Sequence, residues 1–115
     1  MKCRFQLCPA TSAPRMYSYV WEFQVHPDFK EEFESSYGSH GEWVKLFKRH
    51  PAYVRTDLLK DQSDPLRYLT VDTWESLEQY RSFREEFSHE FDALDTKCEA
   101  YTKNERFLGD FELLG

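Results

Sequence analysis

Along this chain the apolar side chains switch between two spacings, and each switch marks an element. From Tyr17 to His26, Tyr17, Tyr19, Trp21, Phe23 and Val25 alternate with Ser18, Val20, Glu22, Gln24 and His26, which predicts a strand with one aromatic face. Pro27-Asp28 then opens a helix in which Phe29, Phe33 and Tyr37 recur every fourth residue, while Lys30, Glu31, Glu32 and Glu34 turn to water. Gly38-Ser39-His40-Gly41 interrupts it. A second helical piece carries Trp43, Val44, Leu46, Phe47 and His50, and Pro51 marks its end. Tyr53 to Lys60 and Arg67 to Trp74 predict two strands joined by the turn formers Asp61-Gln62-Ser63-Asp64-Pro65-Leu66.

At Trp74-Glu75 a strand of period two stops and a helix begins. Ser76 is a good N-cap with Gln79 three positions on, and Glu75 and Glu78 set negative charge beside the positive end of the helix dipole. From there Leu77, Tyr80, Phe83, Phe87, Phe91, Leu94, Cys98 and Tyr101 form one apolar stripe, with Ser88-His89 as a kink or a new N-cap within it. Asn104 to Leu113, with Phe107, Phe111 and Leu113, predicts a last strand. The order βαββαβ is the α+β, ferredoxin-like arrangement of one antiparallel sheet backed by helices. The Arg67–Trp74 strand carries Tyr68 and Trp74 on one face and Leu69 and Val71 on the other, so both faces need cover. Helices supply one cover, and a second copy of the chain is the simplest source of the other, which predicts a homodimer.

The chain's 115 residues suit one domain, expected over residues 16–115, with residues 1–15 as a solvated tail. Met16, just before the first strand, is an alternative start. Ten Phe, seven Tyr and three Trp supply either a large core or a pocket for a flat ligand. A net charge of −6 with no stripe of Lys and Arg argues against a nucleic-acid partner. Cys3, Cys8 and Cys98 are an odd number that fits a reducing compartment better than a disulfide framework, and Cys3 with Cys8 lacks the partner His of a metal site. No secretory leader is evident and no segment approaches the roughly 18 apolar residues of a membrane span, so the expected location is the cytoplasm.

In this order, Tyr19-Val-Trp-Glu-Phe-Gln-Val-His-Pro, Phe33-Glu-Ser-Ser-Tyr-Gly-Ser-His-Gly-Glu-Trp and Tyr68-Leu-Thr-Val-Asp-Thr-Trp-Glu-Ser resemble the antibiotic biosynthesis monooxygenase family, over about Tyr17 to Phe111. The resemblance implies a dimeric α+β barrel, two sheets closing on each other. For the oxygenase members it implies chemistry without flavin or metal, so no cofactor is expected. A small electron-rich aromatic or quinol would supply its own electrons to dioxygen, and the protein would supply an aromatic cavity and a base. Trp43, Tyr68, Trp74, Phe83 and Tyr37 are the candidate ligand walls; His40, Glu22, His89 and Asp72 are the candidate proton acceptors. A non-catalytic ligand-binding or stress-response barrel is the alternative. The haem-degrading branch, with an Asn on the first strand and a Trp and a His on the second helix, fits poorly. The sole asparagine is Asn104, Phe83 stands at the Trp position and Ala93 at the His position.

Each candidate has a plainer reading. Trp74 and Trp21 read first as structural plugs, and His50 as a group serving the end of its helix. Glu85, Glu86, His89, Glu90 and Asp92 read as a solvated helix face rather than a metal patch. Glu22, on the face that a second copy would cover, needs a partner, and Arg55 and Arg67 are the natural ones.

Overall fold

The computed structural model describes residues 15–115, so the expected tail, with Cys3 and Cys8, lies outside the described residues apart from Arg15. Strand β1 (Tyr17–Val25) leads through a 3-10 turn at Pro27–Phe29 into α1 (Lys30–Tyr37), and α2 (Glu42–Phe47) follows. Then come β2 (Tyr53–Lys60), β3 (Arg67–Trp74), α3 (Leu77–Glu86), α4 (Ser88–Cys98), a 3-10 turn at Glu99–Tyr101 and β4 (Thr102–Glu112). The four strands form one antiparallel sheet in the order β2-β3-β1-β4. This is the α+β, βαββαβ arrangement that the spacing predicts.

Local chemistry fixes the junctions. Ser76 accepts the Gln79 amide at 3.1 Å, so α3 starts where the capping pair places it. Gly41 packs so tightly that a Cβ there would lie 2.3 Å from the Ser35 and Ser36 carbonyl oxygens, which is what lets α2 begin against the end of α1. In β4, Gly109 adopts φ +149° where the pairing with β1 slips between Val20 and Trp21, a bulge that a side chain would strain. The stripe from Leu77 to Tyr101 is two helices rather than one. Phe87 leaves helical geometry (φ −112°, ψ 27°), and its buried ring carries the Arg49 guanidinium 4.9 Å from its centre. The last strand also starts at Thr102, two residues earlier than the alternation suggests.

The helices cover one face of the sheet. Trp74 is fully buried there, with ring centres of Phe83 at 4.7 Å, Tyr80 at 5.3 Å, Phe47 at 5.5 Å and Tyr53 at 5.5 Å. His50 is buried beside it and serves the helix end as an acceptor, its Nδ1 taking the Ala52 amide at 3.1 Å. On the opposite face, strand alternation sets Val20, Leu69 and Val71 together, with Leu59 49% and Phe111 55% exposed. Trp74→Ala removes the ring around which β3, α2 and α3 meet. It should cost about 3–5 kcal/mol in urea-induced unfolding, whereas a change under 1 kcal/mol would show that Trp74 is not a core plug.

Candidate active site

A cavity of about 180 Å³ opens between the helix-side face of the sheet and α2, α3 and α4. Its walls are aromatic: Tyr19, Trp21 and Phe23 from β1, Tyr37 from α1, Trp43 and Phe47 from α2, Tyr80 from α3 and Phe91 from α4. Amphipathic spacing put these rings on the inner faces of their elements. Trp43 stands edge-on to Phe91 with centres 4.9 Å apart, and Tyr19 lies 4.9 Å from Tyr80.

Two polar groups interrupt the aromatic wall. The first is Asp72, 6% exposed, directly across β1 from Tyr19 and across β2 from Thr56. The Thr56 hydroxyl donates to Asp72 Oδ1, and the Tyr53 hydroxyl donates to Thr56 at 2.7 Å. Burial raises the Asp72 pKa to about 7; Thr56 lowers it, Asp57 pushes it up again and Tyr19 lowers it slightly. A carboxyl near neutrality changes its proton at ordinary pH. The second group sits nearer the surface, where Arg84, Asp95 and Glu105 share the wall. The Arg84 guanidinium carbon stacks 3.8 Å over Phe91. Burial raises Asp95, helped by Glu99 and Asp92 and opposed by Arg84, and burial with Asp95 and Glu99 raises Glu105.

Of the residues singled out from sequence, the structure brings Tyr37, Trp43 and Asp72 to the cavity. Tyr68, Trp74 and Phe83 are buried in the core and are not part of its wall, because their rings point into helix-sheet packing. Tyr68 instead gives its hydroxyl to Glu34. His40 is exposed in the turn between α1 and α2, its Nδ1 3.2 Å from Ser39 Oγ, and His89 is exposed on the first turn of α4. Glu22 lies on the far face of the sheet, held by Arg67 at 2.6 Å and Arg106 at 2.9 Å, and these partners, Arg67 first, hold its carboxyl below the usual range. Arg55 pairs with Asp57 instead. Sequence reasoning passed over Thr56, Tyr19, Tyr80, Arg84 and Phe91. The strand alternation that puts Asp72 in phase with Tyr68 and Trp74 was a usable signal for Asp72. Among the described residues no group of His, Cys, Asp and Glu is arranged to hold a metal ion.

The model of the antibiotic biosynthesis monooxygenase family matches residues 16–92, from β1 into α4, and the chain belongs to that family. Solved structures share its fold. SnoaB, a cofactor-independent oxygenase from Streptomyces nogalater, superposes with a TM-score of 0.66 at 21% identity, covering 88% of this chain and 95% of that one. A variant of SnoaB gives 0.71 at 24% identity, covering 84% and 91%. Protein PA3566 from Pseudomonas aeruginosa gives 0.65 at 13% identity, covering 90% and 99%. No curated protein matches the sequence.

The Asp72 environment has a sign that stability can read. An unfolded aspartate ionises near pH 4, whereas folded Asp72 keeps its proton until about pH 7, so this group makes stability fall as pH rises between those values. Asp72→Asn mimics the protonated form. Its melting temperature relative to the parent should therefore rise from pH 5 to pH 8 and level above that; a difference independent of pH would show that Asp72 ionises normally.

Proposed function

We propose that the protein is a cofactor-independent monooxygenase acting on a small electron-rich aromatic or quinol, with Asp72 as the base. The observation that supports this reading is a buried carboxyl, poised near neutrality, at the end of an aromatic slot. A phenol seated among Trp43, Tyr37 and Tyr80 gives its proton to Asp72 and becomes electron-rich enough to pass an electron to dioxygen. The radical pair joins as a carbon–oxygen bond. Cleavage of the O–O bond then leaves one oxygen on the ring and releases the other as water with two hydrogens from the substrate. Four electrons leave the substrate and dioxygen accepts four. The aromatic lining lowers the local polarity while charge develops, which strengthens polar contacts beside it.

We further infer that the working form is a homodimer in the cytoplasm, its second copy covering the Val20, Leu69, Val71, Leu59 and Phe111 face. That face is too apolar to stand in water, and the Glu22–Arg67–Arg106 cluster on it has charges that a partner can enclose. Cys98, a buried free thiol, suits a reducing compartment. No helix among the described residues is long and apolar enough to cross a membrane.

Oxygen uptake with a panel of hydroquinones and anthrones tests the chemistry. Uptake should rise with pH through about 7 and drop at least about 100-fold in Asp72→Asn, the range for loss of a general base. Tight binding of a panel member without oxygen uptake would favour a binding barrel instead. Sedimentation at micromolar concentration should give a dimer, and Val71→Asp should give a folded monomer; a monomeric parent would overturn the assembly.

A further inference from the structure

Asp72 is joined to the edge of the sheet by two hydroxyls. Thr56 faces it directly across the β2–β3 pairing, and Tyr53 donates to Thr56 at 2.7 Å. Regular alternation would set residues 53 and 56 on opposite faces, since they differ by an odd number. The pairing slips between Tyr53 and Arg55, and this bulge turns Tyr53 onto the side of Thr56. Tyr53 is half-buried on the edge strand and is not part of the cavity wall.

A hydroxyl that accepts from a tyrosine has its own hydrogen free to point one way, and here that way is Asp72 Oδ1. A carboxylate accepts more strongly than a neutral carboxyl, so this donor favours the charged form. It occupies one carboxylate oxygen of a residue that lines the cavity, with Tyr19 as a further contact of the same carboxyl. We propose that Thr56 and Tyr53 are positioning residues that favour the ionised form of Asp72 and hold its carboxylate in place to take the substrate proton. The proposal rests on the reading of Asp72 as the base of the site.

Other groups act on the same carboxyl and bound the effect. Asp57 on β2 opposes ionisation and Tyr19 on β1 favours it. Tyr80 and Arg84 on α3, and Asp95 on α4, share the cavity. Tyr19 also contacts Asp72 and in turn meets Tyr80, a second hydroxyl route that the Thr56 and Tyr53 variants leave in place. If the Thr56 contact were merely cross-strand packing, replacing its hydroxyl would change stability and leave the titration of Asp72 alone.

The experiment is a 13C NMR titration of aspartate-labelled protein, with the Asp72 resonance identified by its loss in Asp72→Asn. Thr56→Val should raise the Asp72 midpoint by about one pH unit, the effect of losing one donor to a carboxylate. Thr56→Ser should restore it, and Tyr53→Phe should raise it by less. Thr56→Val should also cut oxygen uptake about fivefold at pH 7 and regain most of it near pH 9, which a structural role would not produce. An unmoved midpoint in both Thr56→Val and Tyr53→Phe overturns the proposal. Should Thr56→Val fail to fold, Tyr53→Phe against Thr56→Ser decides it. Shifted midpoints without oxygen uptake from any substrate would uphold the hydroxyl chain and reject the oxygenase reading, so the two fail separately.

Discussion

Strand β3 carries bulky side chains on both faces, and the way the helices cover one of them sets the rest of the molecule. Tyr68, Thr70, Asp72 and Trp74 face the helices, while Leu69 and Val71 face outward. On the helix side, Trp74 collects Phe47, Tyr53, Tyr80 and Phe83 into a packed cluster, so this end of the sheet is closed. One alternation earlier, the smaller Asp72 and Thr70 leave room, and the aromatic residues around them line a gap instead of filling it. Core and cavity are thus neighbouring outcomes of one strand's side-chain sizes.

That gap is where a carboxyl is costly to ionise. An aspartate surrounded by rings retains its proton toward neutrality unless donors compensate, and here the compensation is partial: Thr56 favours the charged form while burial and Asp57 oppose it. The balance leaves a group that exchanges its proton in the physiological range. Glu22 shows the contrast on the same sheet. It lies on the outer face between Arg67 and Arg106, away from the cavity, and those guanidinium groups hold its carboxyl below the usual range.

Much of the fold was legible. The alternation of β1, the capping pair at Ser76 and Gln79, and the Gly-bounded break before Trp43 each follow from local rules that tertiary packing did not override. The break at Phe87 was visible only as an option, since Ser88 offers a cap whether or not the helix stops. The site was less legible. His40 and His89 attract notice because imidazole titrates near neutrality, yet both stand in solvent. Tyr68, Trp74 and Phe83 have the right chemistry for a wall, but whether a ring fills space or borders it depends on its neighbours' volumes.

By itself the sequence determined the order of the elements, most of the residues that share a face, and where α3 starts, because these depend on spacing and on groups a few residues apart. Only the tertiary structure decided that Asp72 sits at a cavity while Glu22 sits in an ion cluster. It also decided that a bulge at Tyr53 and Arg55 turns an edge tyrosine toward Thr56. A carboxyl's proton affinity is set by what surrounds it in three dimensions, and those surroundings come from β1, β2, α3 and α4, which the chain brings together only on folding.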